Sequence, residues 1–213
     1  MIPIAVLASG RGSNFEALQA AITQGKLHAK ICALVSDQPG ALSIQKAQAA
    51  GIPSVVVPST DYKGESGRRA HEEKLLEALQ PFSPRFLVMA GYMRIVTDPL
   101  IQAFRSERGY SRIVNIHPSL LPAFPGTDAY AQAFHHGAKV TGVTIHLVDS
   151  GLDSGPICAQ EAFSVTDCNH VEEVEKRGLA IEHRLYPRTL EWVLPERFET
   201  EKTPSGRLHV RAR

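Results

Sequence analysis

The sequence predicts an α/β fold, in which a Rossmann-like, mostly parallel twisted sheet has flanking helices and a C-terminal antiparallel extension. In the first half, short apolar runs alternate with segments whose apolar residues recur at helical spacing. Such alternation is typical of parallel strands joined by right-handed crossovers. In the second half, two apolar runs are separated only by a short glycine-rich connection, which indicates an antiparallel pair.

Hydrophobic periodicity and turn residues define the elements of the parallel half. Gly51 closes the second helix, because glycine readily adopts the left-handed conformation of a C-terminal cap. The predicted strands span residues 4–8, 31–35, 54–57, 86–89 and 113–116, and the predicted helices span residues 14–24, 41–50 and 68–79.

The second half adds strands over residues 140–149 and 155–165, and one long helix over residues 171–193. Pro187 lies inside that helix and predicts a kink or an early end, because proline lacks a backbone N–H. We expect one domain over residues 1–195, with halves 1–100 and 101–195. Residues 196–213 form a tail that we expect to end in a short edge strand.

The composition disfavours several classes of protein. A chain of 213 residues with 43% hydrophobic and 21% charged residues is typical of soluble globular proteins. Its net charge of +1 argues against a nucleic-acid surface, and no apolar run approaches the roughly 18 residues of a membrane span. Cys32, Cys158 and Cys168 are scattered, which fits a reducing compartment. We therefore expect a cytoplasmic protein without nucleic-acid or membrane partners.

The segment ASGRGSNFEAL places Gly10 and Gly12 between the first strand and the first helix. Backbone N–H groups at a helix N-terminus bind phosphate well. Ser13 or Asn14 would cap the helix and add donors to the same anion. The loop therefore predicts a phosphate site, and a monophosphate is favoured.

Two other interpretations of this loop stay open. Phe15 occupies the position where a dinucleotide-binding GxGxxG motif ends, but Asp37 could act as the acidic residue that binds a ribose in that motif. Alternatively, the glycines could only make a tight strand-to-helix turn.

The segment IVNIHPSLLPAFPG carries candidate catalytic side chains. Asn115 and His117 share one face of a strand, and Pro118 places them near its carboxyl end, where ligands bind in open α/β sheets. Asp149 and Asp153 follow a neighbouring strand, although Asp153 could be only a turn residue. A carboxylate favours an imidazolium, and an asparagine amide can donate to an oxyanion. These groups suit acyl transfer through a tetrahedral intermediate.

The sequence shows no protein nucleophile and no metal site. It contains no GxSxG motif, and its cysteines lack an activating context, so we expect the nucleophile to come from a substrate. His135, His136, His146 and Cys158 lack the spacing of zinc ligands.

Five segments occur in one order along the chain: GRGSN, AGYMRI, NIHPSLLPAFPG, GVTIHLVDSGLDSGPI and IEHRLYP. Through them, residues 1 to about 195 resemble the phosphoribosylglycinamide formyltransferase family of the N10-formyltetrahydrofolate formyltransferase superfamily. The resemblance implies the formyltransferase fold, with a phosphate-binding first half and a folate and catalytic second half. It implies transfer of the formyl group of 10-formyltetrahydrofolate to the amine of 5-phosphoribosylglycinamide in purine biosynthesis. It also implies small-molecule substrates and no metal, and we expect a monomer or a homodimer.

The same resemblance implies a role for each matching residue. Asn115 would bind the oxyanion, His117 would donate a proton to the leaving folate nitrogen, and Asp153 would favour protonated His117. The nucleotide would meet Gly12, Ser13 and Asn14 at its phosphate, and Leu179 to Glu182 at its ribose. The folate would meet Arg68, Met93, Arg94, Ile95, Val96, Asn115, Val148, Asp149 and Asp153, with Arg68 and Arg94 at its glutamate carboxylate.

Plainer interpretations of these residues stay open from the sequence alone. Met93 and Ile95 could be core residues, Arg68 could be a solvated residue on a helix, and Glu182 could pair with Arg184.

The chain also departs from the family pattern. Thr127 to Tyr130 replace a segment in which histidine is common, which leaves the contacts of that segment open. Leu179 stands where a polar residue is frequent, so only a backbone or packing contact is expected there.

Related functions share the three catalytic residues. Methionyl-tRNA formyltransferase would be expected to add a C-terminal domain of roughly 100 residues. Formyltetrahydrofolate hydrolase would be expected to add an N-terminal regulatory domain, but hydrolase activity stays an open alternative for this chain. A non-catalytic module that binds a phosphorylated ligand is a third alternative, which leaves Asn115, His117 and Asp153 without a purpose.

Overall fold

The computed structural model describes residues 1–204 and 206–213. Its elements alternate between strands and helices up to the fifth strand, as the sequence predicts. In chain order they are β1 (Ile2–Leu7), α1 (Ser13–Thr23), β2 (Ala29–Ser36), α2 (Leu42–Ala49), β3 (Ser54–Val56), α3 (Gly64–Leu79), a 3₁₀ turn (Gln80–Phe82), β4 (Phe86–Met89), α4 (Asp98–Ala103), β5 (Ile113–His117), α5 (Ala129–His135), β6 (Val140–Leu147), β7 (Ile157–Ser164), α6 (Val171–Val193), β8 (Phe198–Lys202) and β9 (Leu208–Ala212).

The main sheet has seven strands in the order β3-β2-β1-β4-β5-β6-β7. The first five are parallel to their neighbours, whereas β6 and β7 pair antiparallel. The predicted fold class, a mostly parallel sheet with an antiparallel extension, is therefore confirmed. The chain runs outward from β1 in both directions, with β2 and β3 on one side and β4 and β5 on the other. A crevice therefore opens at the carboxyl ends of β1 and β4.

Both faces of the parallel sheet are covered by helices. Along β1, Ile4 and Val6 pack in a cluster with residues of α1, α2 and α6, while Ala5 and Leu7 pack with residues of α3 and α4. All four side chains are fully buried. A sheet that is buried on both faces needs apolar residues at successive positions, which explains why its strands are continuous apolar runs.

Three short elements, α4, α5 and β8, are absent from the sequence prediction. For α4 the reason is visible: the buried Glu72 carboxylate accepts hydrogen bonds from the Thr97 N–H at 2.6 Å and the Leu100 N–H at 3.2 Å. The helix is thus capped by a residue 25 positions away from Thr97, which local sequence patterns do not reveal.

The helix α6 continues through Pro187 to Val193, so the early end predicted at the proline is wrong. Leu185, Tyr186 and Leu190 pack in the core on either side of the proline. This tertiary packing outweighs the local helix-breaking tendency. None of the helices in residues 1–204 and 206–213 is both long and apolar enough to cross a membrane.

The tail strand β9 pairs with β8 in a separate two-stranded antiparallel sheet. Glu196, just before β8, joins this hairpin to the main body through ion pairs with Arg85 at 2.6 Å and Arg112 at 2.8 Å, and it accepts a hydrogen bond from Tyr110 at 2.9 Å. Burial opposes the charge of Glu196, but hydrogen bonds from Arg112 and Tyr110 outweigh it and lower the pKa of this carboxyl.

Tyr186 joins α6 to the middle of the sheet. Its ring is fully buried, and its hydroxyl lies 2.9 Å from the Met89 carbonyl oxygen and 3.0 Å from the Val114 carbonyl oxygen. One hydroxyl proton is shared between these two acceptors, which lie at the carboxyl end of β4 and in β5.

We expect Tyr186→Phe to lower the free energy of unfolding by about 1–3 kcal/mol, because it leaves buried carbonyl groups without their donor. Urea denaturation would measure the loss. Tyr62→Phe is the matched control, since Tyr62 is half-buried and makes a ring contact with His71 that phenylalanine keeps. Equal losses in the two variants would contradict the assigned role of Tyr186.

Candidate active site

A cavity of about 520 Å³ occupies the crevice at the carboxyl ends of β1 and β4. Its walls come from the loop after β1, the segment after β4, the end of β5, the loop between β6 and β7, and α6. Every residue to which the resemblance assigns an individual contact lines this cavity except Arg68, which lies on α3. The lining residues among them are Gly12, Ser13, Asn14, Met93, Arg94, Ile95, Val96, Asn115, His117, Val148, Asp149, Asp153, Leu179 and Glu182.

His117 has an acceptor at each ring nitrogen. Its Nδ1 lies 3.4 Å from Asp153 Oδ2, and its Nε2 lies 2.9 Å from the Phe124 carbonyl oxygen. Only 3% of the residue is exposed. The Phe124 carbonyl accepts a hydrogen bond from Nε2, and the Asp153 carboxylate lies within ion-pair distance of Nδ1. A carboxylate in this position stabilises positive charge on an imidazole ring.

Asp153 is held by the backbone of the opposite loop. The Gly126 N–H donates to its Oδ2 at 2.8 Å, and Asp153 itself has a left-handed backbone with φ of 49°. The carboxylate thus bridges two loops beside His117. This contact goes beyond the turn role that the sequence left open.

Asn115 is oriented by His146, a strand histidine that sequence reasoning did not assign to the site. In the antiparallel register of β5 and β6, Asn115 lies directly opposite His146, so both side chains project from the same face. Asn115 Nδ2 lies 3.2 Å from His146 Nε2, and His146 Nδ1 lies 2.9 Å from the Leu147 carbonyl oxygen. His146 Nδ1–H therefore donates to the carbonyl, and its Nε2 accepts one amide hydrogen of Asn115. The second amide hydrogen is left for the cavity.

The loop after β1 differs in detail from the prediction. Gly12, with φ of 71°, is the N-cap residue of α1, and no side chain caps the helix, so the predicted capping by Ser13 or Asn14 is wrong. A Cβ atom on Gly12 would lie 2.8 Å from the Cβ of Ser43, which explains why glycine is required. Asn14 instead donates from Nδ2 to Glu182 at 2.6 Å. Within residues 1–204 and 206–213, no side chain caps the first N–H groups of α1, and Gly12, Ser13 and Asn14 line the cavity.

The structure argues against the dinucleotide interpretation of this loop. Asp37 is buried, and its carboxylate accepts hydrogen bonds from Ser9 at 2.5 Å and Ser59 at 3.0 Å. It does not line the cavity. The residue that would bind a dinucleotide ribose is therefore engaged by the protein itself.

Apolar side chains stand exposed at the mouth of the cavity. Met93, Ile95 and Leu152 are 70%, 47% and 52% exposed and line it, so the alternative that Met93 and Ile95 are core residues is wrong. Exposed apolar groups around a concave site offer contact to a flat apolar or aromatic ligand.

The two predicted carboxylate-binding arginines differ in position. Arg94 lines the cavity, and its Nη2 is buried without a hydrogen-bond partner. Arg68 is half-buried on α3, and its Nε is likewise without a partner among the described residues. Both guanidinium groups thus retain donors, but the structure brings only Arg94 to the cavity wall.

The loop between β6 and β7 is organised by Asp149. Its Oδ1 accepts the Gly151 N–H at 3.1 Å and the Ser154 hydroxyl at 2.7 Å. A larger cavity of about 800 Å³ lies on the tail side of this loop, and of the predicted site residues only Val148, Asp149 and Asp153 line it. Within residues 1–204 and 206–213 we find no group of three or more His, Cys, Asp or Glu placed to hold a metal ion.

Burial lowers the pKa of His146 from its usual value of 6.5, and the hydrogen bond to Leu147 only partly opposes this effect. Below that pH the unfolded chain binds a proton at this position that the folded chain does not, so stability falls as the pH decreases.

We expect the free energy of unfolding to fall less between neutral and acidic pH in His146→Gln than in the wild type. Urea denaturation across the range would measure it, with His28→Gln at an exposed site as the control. An unchanged pH dependence in His146→Gln would contradict this account.

Comparisons with known proteins agree with the geometry of this cavity. Residues 2–190 match the family model described as formyl transferase. The phosphoribosylglycinamide formyltransferase of Bacillus subtilis is 41% identical over 194 residues, which cover 91% of this chain and 95% of that protein. The trifunctional purine biosynthetic protein adenosine-3 of Drosophila melanogaster is 37% identical over 190 residues, which cover 88% of this chain but only 13% of that protein.

Solved structures lead to the same family. The glycinamide ribonucleotide transformylase 1 of Symbiobacterium toebii has a TM-score of 0.87 at 38% identity, covering 100% of this chain and 94% of that one. The phosphoribosylglycinamide formyltransferase of Bacillus halodurans has a TM-score of 0.83 at 42% identity, covering 90% of this chain and 95% of that one. The resemblance found in the sequence is confirmed: this chain belongs to the formyl transferase family.

Proposed function

We propose that this chain is a phosphoribosylglycinamide formyltransferase, which transfers the formyl group of 10-formyltetrahydrofolate to the amine of 5-phosphoribosylglycinamide. The observation that carries the proposal is the cluster of Asn115, His117 and Asp153 in one cavity with a glycine loop that has free N–H groups. A proton donor and an oxyanion donor thus lie within reach of a phosphate-binding loop. Relatives with this name are similar over nearly the whole chain.

The nucleotide would bind at the α1 side of the cavity. Gly12, Ser13 and Asn14 would bind its phosphate, because the free N–H groups and the dipole of α1 both favour an anion. Glu182 would accept hydrogen bonds from its ribose hydroxyls, and Leu179 would pack against it. Arg184, the alternative partner of Glu182, instead forms an ion pair with Glu161.

The folate would bind at the opposite side of the cavity, away from α1. Its flat rings would contact Met93, Ile95 and Val96 and the loop from Val148 to Asp153. Arg94 would meet its glutamate carboxylate, since a guanidinium with unfilled donors suits a carboxylate. Arg68 is proposed for the same carboxylate on the resemblance alone.

In the reaction the substrate amine attacks the formyl carbon, a C–N bond forms, and the bond from the formyl carbon to the folate nitrogen breaks. Asn115 Nδ2–H donates to the oxygen that becomes negative in the tetrahedral intermediate. His117 gives its proton to the leaving folate nitrogen, and the amine that has acquired the formyl group loses one proton, which restores the proton of His117. The Asp153 carboxylate lies beside His117 and would stabilise its charged form before transfer.

Asn115→Ala should reduce kcat by about 10²–10³-fold, because it removes one oxyanion donor. The measurement is a spectrophotometric assay with 10-formyltetrahydrofolate, with and without 5-phosphoribosylglycinamide. Asn169→Ala is the matched control, since Asn169 is exposed and does not line the cavity. Activity of Asn115→Ala equal to that of the control would remove Asn115 from this mechanism.

The same assay distinguishes the proposed function from its alternatives. Turnover that needs the ribonucleotide and is lost in His117→Ala would support the transferase. Formate release without an acceptor would support the hydrolase, and absence of any reaction would favour a non-catalytic binding module.

A further inference from the structure

Tyr130, Glu182 and Asn14 form a buried polar cluster in the wall of the cavity. The Tyr130 hydroxyl donates to Glu182 Oε1 at 2.6 Å, and Asn14 Nδ2 donates to Glu182 Oε2 at 2.6 Å. All three residues are less than 8% exposed, at 7%, 6% and 7%. Tyr130 lies on α5, in the segment whose contacts the sequence left open.

Glu182 is a buried carboxylate stabilised by neutral donors. The arginines nearest to it on α6 are engaged elsewhere, because Arg177 pairs with Asp167 and Arg184 with Glu161. A buried charge without a cation needs hydrogen bonds. Tyr130 and Asn14 supply two, which leaves about two of the four acceptor positions of the carboxylate unfilled. Since Glu182 lines the cavity, these positions suit a ligand with two adjacent hydroxyl donors.

Tyr130 is fixed as a donor. Burial and the adjacent Glu182 carboxylate raise the pKa of Tyr130 far above its usual value, so the hydroxyl keeps its proton. Its ring packs with Val165 and Val174, and its centroid lies 6.3 Å from that of Phe163. A ring held in this way can direct its hydroxyl to only one place.

Gly178 makes room for this hydroxyl. It lies one turn before Glu182 on α6, and a Cβ atom there would lie 2.0 Å from the Tyr130 hydroxyl oxygen and 2.1 Å from its Cζ. Glycine inside a helix is destabilising relative to alanine. Its position under the tyrosine therefore has a steric reason, and Gly178 and Tyr130 act as a pair.

We propose that Tyr130 is a positioning residue for the sugar of the substrate. It holds Glu182 in the orientation that accepts two sugar hydroxyls, and Gly178 leaves the space that the Tyr130 hydroxyl needs. The identity of the substrate as a ribonucleotide rests on the proposed function. Tyr130 thereby contributes to the preference for ribose over 2-deoxyribose, because a deoxy sugar leaves an acceptor of the buried carboxylate unfilled.

The first test measures binding without turnover. Isothermal titration calorimetry with ribose 5-phosphate and 2-deoxyribose 5-phosphate compares the wild type with Tyr130→Phe. We expect the variant to bind ribose 5-phosphate about tenfold more weakly, because a hydrogen bond to a charged group is lost. We also expect its preference for ribose 5-phosphate over 2-deoxyribose 5-phosphate to be smaller. In a Glu182→Ala background, Tyr130→Phe should cause no further loss, since it acts through Glu182.

Tyr110→Phe is the matched control for this test. The Tyr110 hydroxyl also donates to a carboxylate, Glu196, at 2.9 Å, but Tyr110 does not line this cavity. We expect wild-type binding of both sugar phosphates in the control. Wild-type binding and ribose preference in Tyr130→Phe as well would overturn the proposal.

A second variant acts on the same pair from the other helix. Gly178→Ala keeps the hydroxyl but displaces it, so it should weaken ribose 5-phosphate binding as Tyr130→Phe does and lower the thermal unfolding midpoint. A higher midpoint with unchanged binding would show that Tyr130 does not need this space, and would contradict the proposal. This variant also provides the comparison if Tyr130→Phe fails to fold.

Turnover separates this proposal from the proposed function. In the formyl-transfer assay, Tyr130→Phe should raise the KM for 5-phosphoribosylglycinamide about tenfold, while kcat and the KM for folate stay within about twofold. If the wild type transfers no formyl group but its ribose 5-phosphate binding depends on Tyr130, the proposed function fails and the role of Tyr130 stands. If transfer proceeds and both sugar phosphates bind Tyr130→Phe as they bind the wild type, only the role of Tyr130 fails.

Discussion

The antiparallel register of β5 and β6 is the constraint on which the site depends. It places Asn115 opposite His146 and His117 opposite Thr144. Side chains alternate along a strand, so a shift by one residue would move Asn115 and His117 to opposite faces from their partners. The register is set by burial, because Val114 and Ile116 belong to the core on the other face. The polar pair is thus positioned by the apolar residues that alternate with its members along the strand.

Neutral hydrogen-bond donors stabilise the buried acidic groups around this site. Glu72 accepts from backbone N–H groups of α4, Asp37 from serine hydroxyls, and Glu182 from a tyrosine and an asparagine. None of these contacts neutralises the charge. Donors of this kind satisfy the carboxylate without an ion pair that a ligand would have to break. For Glu182, which lines the cavity, this arrangement keeps acceptor positions available to a substrate.

Sequence reasoning predicted the fold class and the residues whose position follows from strand period and chain order. Asn115 and His117 required only the two-residue alternation of a strand, and the glycine loop required only its place between a strand and a helix. Chain order also offered Asp149 and Asp153 as carboxylates near His117, whereas the choice of Asp153 and the roles of Met93 and Glu182 came from the resemblance. Their contacts, and those of His146 and Tyr130, depend on partners distant in sequence: 52 positions separate Tyr130 from Glu182, and 31 separate Asn115 from His146. The predicted place of β6 as a neighbour of β5 contained a signal for His146, because pairing β6 against β5 limits which residues can face Asn115. No comparable local signal marked Tyr130.

Backbone strain is concentrated in the two loops that meet at His117. Phe124, Asp128 and Asp153 all have positive φ, at 52°, 57° and 49°, a conformation that is costly for residues other than glycine. Two of them are held by contacts of the site: the Phe124 carbonyl accepts from His117, and Asp153 accepts the Gly126 N–H. The Asp128 carbonyl accepts the Gln132 N–H in the first turn of α5. Because Asp153 joins the two loops beside His117 and Phe124 accepts from His117, a change of backbone conformation at Phe124 or Asp153 would disturb the position of the proton donor. The strained backbone at Phe124 and Asp153 is therefore stabilised by the same contacts that position His117 for the proposed proton transfer.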